Sequence, residues 1–272
     1  MIGYVFIFFI LLLEGIYFTA YNIQGAYPVF GNTLSAITFL FLILIPVLTM
    51  KTLAEERRQK TDQMLFTSPV SVENIVLGKY LALVTVYMIP VFVICFYPLI
   101  MSKYGTVSYA MAYTAILGFA FMGFAELSIG VFISSLTENP VIAAVVGFLV
   151  LFVCFMSEGI GSLVAETSVT SLAIYMVMVA AAAYLIYYMI KNVLIPLIIG
   201  LAGEIVLVVL YIVDSTRFEG SFQDFLTIFD ITSHFDNFTN GILDIQGLIY
   251  FLSIIVIFLF LTIQSIKKRR WS

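Results

Sequence analysis

The sequence is short of nearly everything from which a catalytic or metal site is made. Its 272 residues include one histidine and two cysteines, and only 10% are charged. A lone His234, with no cysteine or second histidine near it, leaves no ligand set for a metal, and Cys95 and Cys154 lack both metal spacing and the density of a disulfide framework. No His-Glu-x-x-His and no Gly-x-Ser-x-Gly occurs, which removes the metalloprotease and hydrolase-elbow chemistries. The phosphate cradle Gly-x-x-x-x-Gly-Lys-[Ser/Thr] is missing too. Gly78-Lys79 is followed by Tyr80 and has no upstream glycine at the required spacing. Low-complexity stretches and linkers are absent, so residues 1–272 read as a single membrane domain. The short alternating strands of an outer-membrane barrel are absent as well. Met1 leads into Ile-Gly-Tyr-Val-Phe with no basic n-region, so the first apolar run reads as a retained span rather than a signal peptide.

What the chain has is apolar surface. Hydrophobic residues make up 62% of it and the mean hydropathy is +1.13, against roughly 45–50% apolar in a soluble domain. The apolar runs have the length that crosses ~30 Å of hydrocarbon, where the backbone must satisfy its own hydrogen bonds as helices. The reading is an all-α polytopic membrane protein with about eight spans: Ile2–Asn22, Leu34–Met50, Ile75–Met101, Ala110–Leu136, Val141–Gly159, Leu172–Ile190, Val193–Val213 and Gly247–Ile266.

Eight spans put both termini on one side, and the lysines and arginines say which. Lys51, Arg57, Arg58, Lys60, Lys79, Lys191, Lys267, Lys268, Arg269 and Arg270 flank that side, against Lys103 and Arg217 on the other. By the positive-inside rule both termini are cytoplasmic. The acids Glu158, Glu166, Asp214, Glu219, Asp224, Asp230, Asp236 and Asp244 all fall outside, so the low isoelectric point describes an acidic outer face. No nucleic-acid partner is expected.

One charged block interrupts the apolar pattern, in the cytoplasmic loop 51–74. From Ala54 to Phe66 the residues are good helix formers. Thr67-Ser68-Pro69 breaks that run, because the residue before a proline is pushed out of the helical region. Ser71 is placed to N-cap the next helix, with Glu73 in its first turn facing the positive end of the dipole. The loop therefore reads as a helix, a turn and a helix start, a structured knob on the cytoplasmic face.

The same block carries a resemblance. Glu55-Glu56-Arg57-Arg58-Gln59-Lys60-Thr61, Leu65, Pro69-Val70-Ser71 and Gly78-Lys79 resemble the pattern E-x-R-x-x-(G)-T-x-x-x-L-x-x-x-P-(V/L)-S-x-x-x-(I/L)-x-x-G-K of ABC-2 type permeases. Ser134-Ser135-Leu136-Thr137-Glu138-Asn139-Pro140 agrees with the branch typified by the gliding-motility permease, F component. So does the C-terminal stretch with Phe235-Asp236-Asn237-Phe238, Gly241-Ile242-Leu243-Asp244 and Arg269-Arg270-Trp271. Two departures stand out. The amphipathic stretch that usually precedes the first span is missing or shortened, and the six-span family core gains a hydrophobic hairpin over residues 172–213.

The resemblance implies the permease subunit of an ABC transporter, binding no ATP itself: ATP and Mg belong to a partner ATPase subunit, and no cofactor or metal is expected on this chain. It implies a second permease copy, as homodimer or heterodimer, and multi-pass residence in a bacterial cell membrane among its lipids. The knob then couples to the ATPase subunit through Glu55, Glu56, Arg57, Thr61, Leu65, Phe66, Pro69 and Ser71. Charges fix the register, and Leu65 and Phe66 supply the buried anchor that an interface core needs. An exporter of an unidentified substrate is the favoured function. The alternatives are an ATP-driven mechanotransmission subunit acting on an extracytoplasmic partner, and a proton-coupled secondary transporter.

Two further features bear on function. Phe218, Phe222, Phe225, Leu226, Phe229, Phe235 and Phe238 recur at roughly helical spacing among acids in the outer segment 214–246, which reads as amphipathic helices at the outer interface. Glu14, Glu126 and Glu204 fall inside spans, where ionisable groups are costly and face a bundle interior or cavity. They are candidate pathway carboxylates, for a cationic substrate or for protons, or else interhelical hydrogen-bonding groups.

Overall fold

A computed structural model describes residues 1–61, 70–190 and 193–270. Every regular element among them is helical. In chain order they are α1 (Ile2–Tyr17), continued by a π-helical segment (Phe18–Gln24), α2 (Phe30–Thr49), α3 (Ala54–Arg58), α4 (Val72–Ile94), α5 (Tyr97–Met101), α6 (Tyr109–Leu136) and α7 (Pro140–Leu163). There follow α8 (Ser168–Ile190), α9 (Leu194–Val213), a 3-10 turn (Ser215–Phe218), α10 (Ser221–Thr227), α11 (Ser233–Thr239) and α12 (Ile245–Arg270). Eight helical stretches among the described residues are long and apolar enough to cross a membrane, and they coincide with the eight expected spans to within a few residues at most ends. The chain is thus an all-helical, multi-pass membrane protein.

Local chemistry sets several of the boundaries. The Ser71 hydroxyl accepts a 3.3 Å bond from Asn74 N, so it caps α4 as expected. Asn139 Oδ1 takes the Val141 amide at 2.9 Å, and Pro140 opens α7, where its missing N–H costs nothing. Pro46 and Pro90 lie inside α2 and α4. In α2 the Thr49 hydroxyl donates back to Ile45 O at 2.9 Å, one of the side-chain bonds that occupy backbone groups where lipid offers none.

The chain divides into two compact units: residues 1–155 with 231–272, and residues 156–230. In the first, α6 is the core helix. It packs against α12, α2, α11 and α4, and 78% of its most apolar stretch is enclosed, against 22% for α1. Phe41, Tyr87 and Phe119, all fully buried, pack ring on ring at the centre.

The second unit holds the hairpin α8–α9, whose helices meet through small residues. A Cβ at Gly203 would lie 2.9 Å from Val179 Cγ1, and one at Gly200 3.0 Å from Ala183 Cβ. The start of the outer segment folds back on this hairpin. Tyr175 on α8 packs edge-on against Phe218, Phe222 and Phe225, and its hydroxyl donates to Ser221 O at 2.9 Å.

The outer segment 214–246 is therefore not one amphipathic layer, since its halves belong to different units. Phe218 and Phe222 serve the hairpin, whereas Phe235 and Phe238 are fully enclosed in the first unit. The reason is steric. Along α11, Phe238 presses on Gly118 of α6 and Thr239 on Gly31 of α2, where an added Cβ would come within 2.6 Å of a backbone oxygen at Gly31. Two glycines open the slot that α11 fills. Only the second half of the segment, α11, plugs into the first unit in this way.

Gly118→Leu is expected to force Phe238 out and lower stability by ~1–3 kcal/mol, as overpacking a tight core does. Thermal unfolding of the detergent-solubilised chain measures it, with Gly159→Ala, where nothing lies within 4 Å, as the variant that leaves the midpoint unchanged.

Candidate functional site

The charged block forms a short helix locked onto the ends of the spans around it. α2 ends at Thr49, and α3 begins at Ala54 with its first amides lacking helical partners, as at any helix start. The Ser134 hydroxyl, near the inner end of α6, accepts from Leu53 N and Ala54 N at 3.1 Å each and donates to Met50 O at 3.1 Å. Ser134 is fully buried. One hydroxyl thus closes both the end of α2 and the beginning of α3.

Charges complete the attachment. Arg57 Nη1 donates to Ser135 O at 2.5 Å, while Nη2 lies 3.6 Å from Glu138 in the loop between α6 and α7. Arg269 of α12 reaches the same Glu138 at 3.6 Å. Lys79 on α4 pairs with Glu56 and donates to Thr52 O at 2.9 Å, and Lys267 of α12 pairs with Glu73 in the first turn of α4. The inner ends of α2, α4, α6 and α12 are thereby tied to α3 or to each other. Exposed ion pairs are individually weak, ~0–1 kcal/mol. Arg57, whose side chain is 13% exposed, is the enclosed member.

The far end of α3 closes with a left-handed residue. Thr61 N bonds Glu56 O at 3.0 Å and Lys60 N bonds Arg57 O at 3.1 Å, with Lys60 at φ 57°. This is the helix-ending motif that usually takes glycine. Lys60 stands where the permease pattern has its optional glycine, so backbone geometry explains that feature of the pattern.

The expected coupling residues therefore separate by direction. Glu56 and Arg57 face back onto the bundle, and Glu55 accepts from Gln59 Nε2 at 2.7 Å along α3 itself. Ser71 is taken up in capping α4. Thr61 is exposed, together with Arg58, Gln59 and Lys60, next to the segment 62–69. Leu65, Phe66 and Pro69 lie outside the described residues. Ser134, Glu138, Lys267 and Arg269 were not singled out for this site from the sequence. The signal for the first two was the Ser134–Pro140 motif, whose hydroxyl and carboxylate are the groups that hold α3.

Of the membrane carboxylates, Glu14 is fully buried and Glu126 is 6% exposed, both in the first unit, while half-buried Glu204 belongs to the second. The structure brings only the first two into one compact unit. His234 stacks on Tyr250 with ring centroids 3.7 Å apart. Among the described residues no cluster of His, Cys, Asp or Glu is suited to a metal.

A family model described as ABC-2 family transporter protein matches residues 10–271, almost the whole chain. No curated protein and no solved structure matches it.

Ser134→Ala is expected to leave the Leu53 and Ala54 amides and the Met50 carbonyl unbonded, a loss of ~1–3 kcal/mol for buried groups. Hydrogen exchange over residues 50–58 reads it as faster exchange of those two amides. Lys60→Gly relieves the left-handed strain and is expected to slow exchange at Thr61, with a gain of ~1 kcal/mol.

Proposed function

The chain belongs to the ABC-2 family of transporter proteins, and on that premise we propose that it is an exporter permease in which α3 and the segment 62–69 receive the motion of a separate ATPase subunit. Membership makes it a permease component of an ABC transporter, with ATP used by a partner ATPase. The finer reading is that the chain works with a second permease copy in a bacterial cell membrane and stands near the gliding-motility branch. The movement it couples is export of an unidentified substrate.

The single observation that carries this reading is the two-sidedness of α3. Its inner side is fastened to α6, to the α6–α7 loop and to α4 through Ser134, Arg57, Glu138 and Lys79. Its other side, Arg58 to Thr61, is exposed and continues into 62–69, whose sequence includes Leu65, Phe66 and Pro69. A lever needs both: a surface that a closing ATPase dimer pushes, and a rigid attachment that moves the spans with it. Glu56 and Arg57 then serve transmission, while Arg58, Leu65 and Phe66 serve docking.

Three substitutions separate these roles. Arg57→Glu sets like charges at Glu138 and is expected to lower coupled turnover about 2–30-fold, the effect of ~0.5–2 kcal/mol of lost coupling, while the ATPase still co-purifies. Arg58→Glu or Leu65→Pro is expected to reduce co-purification itself. The measurement is a mild-detergent pull-down of the tagged chain with an ATP hydrolysis assay and a check of membrane insertion. Normal coupling and normal co-purification in all three variants would refute the assignment.

A further inference from the structure

The cytoplasmic lever leaves unexplained the two carboxyl groups sealed inside the first unit. Neither Glu14, fully buried, nor Glu126 meets a hydrogen-bond partner among the described residues, and both oxygens of Glu14 and Oε2 of Glu126 are enclosed. A carboxylate left this way in a membrane bundle is too costly to persist without a cation or a proton. The packing around them shows which it is.

The two acids flank one phenol. Tyr87 of α4 is fully buried and donates to Phe119 O of α6 at 2.8 Å. Its ring lies so close to Gly123 that no Cβ fits there. Glu126 is three residues further along α6 toward the cytoplasmic end, about 4.5 Å in rise. On the other side, Phe6 of α1 packs on the Tyr87 ring with centroids 6.4 Å apart. Glu14 lies eight residues outward along the same helix, about 12 Å, at the level where Gly15 meets the Tyr97 hydroxyl.

Few other ionisable groups surround them. α4 adds Tyr80, whose hydroxyl donates to Phe124 O at 3.1 Å, and the π-helical extension of α1 adds Tyr21, next to Tyr17 on α1 itself. α2 carries none between Phe30 and Met50, and α12 none between Phe251 and Ile266. α11 brings His234 and Asp236 toward the outer end of α6, and α3 brings Glu56 and Arg57 to its inner end. Among the described residues no cationic side chain pairs with either carboxyl. The core between them is filled by Phe6, Ile10, Tyr87, Phe41 and Phe119, all buried.

We propose that Glu14 and Glu126 are proton-binding sites on either side of Tyr87, closed while the bundle is packed and emptied when it opens during the transport cycle. The ligand is the proton because the enclosing side chains leave the two carboxyls no other counter-charge. Its binding does not depend on the transporter reading; the linkage to the cycle does.

The test has two arms. A carboxyl that keeps its proton folded and loses it unfolded binds more protons in the native state, so stability must fall as pH rises. The unfolding midpoint of the full chain in detergent, followed from about pH 5 to about pH 9, is expected to decline in the wild type. Glu14→Gln and Glu126→Gln each flatten the decline, and the double variant loses it. An unchanged slope in the double variant overturns proton binding. The second arm follows the pH profile of ATP hydrolysis in the complex with its co-purified ATPase, expected to shift in each single variant while the ATPase still binds. A profile identical to wild type, with the melting slope lost, overturns the linkage. Failure to recover an ATPase defeats the permease reading and leaves the first arm standing.

Discussion

The Ser134 hydroxyl stands where the end of α2, the start of α3 and the inner end of α6 meet, and it bonds to all three at once. Helix ends inside a bundle are the weak points of a membrane protein, because neither lipid nor a closed protein interior supplies partners for free amides and carbonyls. A single small hydroxyl solves this for two ends together, since it donates once and accepts twice. The consequence is mechanical. α3 cannot tilt or slide without breaking buried hydrogen bonds to α6, so a push on α3 is a push on the core helix.

The charges around this junction do a different job. Glu138 faces both Arg57 and Arg269, while Lys79 and Lys267 reach Glu56 and Glu73. Pairs exposed to this degree contribute little stability each and weaken with salt. Their arrangement joins elements far apart in sequence, α3 to the α6–α7 loop and α12 to the start of α4. They fix which helix ends travel together, and the buried hydroxyl and the enclosed guanidinium of Arg57 supply the rigidity.

How much of this could be read from the sequence depended on the range of the interaction. Spans and the Ser71 cap follow from composition and local helix chemistry, and the eight helices lie where those signals put them. The direction that Arg57 points does not follow. Its partners are some 80 residues away, and a charged loop helix has the same local sequence whether its arginine faces a partner subunit or its own bundle. The outer phenylalanines were ambiguous for a related reason. Helical spacing showed that Phe235 and Phe238 share a face, but the glycines that make room for α11, Gly31 and Gly118 among them, are distant in sequence. The optional glycine of the permease pattern was visible as a letter. Its cause, a left-handed residue at Lys60, appears only in the backbone.

The length and continuity of α6 connect these separate features. It runs unbroken from Tyr109 to Leu136 with no proline, while α2 and α4 carry Pro46 and Pro90. Ser134 near one end holds α3, Gly123 near its middle meets Tyr87 one turn from Glu126, and Gly118 nearer the other end seats Phe238. From Gly118 to Ser134 is sixteen residues, about 24 Å of helix. Close packing makes such a rod shift between discrete seatings rather than bend. A displacement at Ser134 therefore has to reappear as a lost fit at Tyr87, at Phe238, or at both. The proline-bearing helices beside it are where the accompanying strain is most cheaply absorbed.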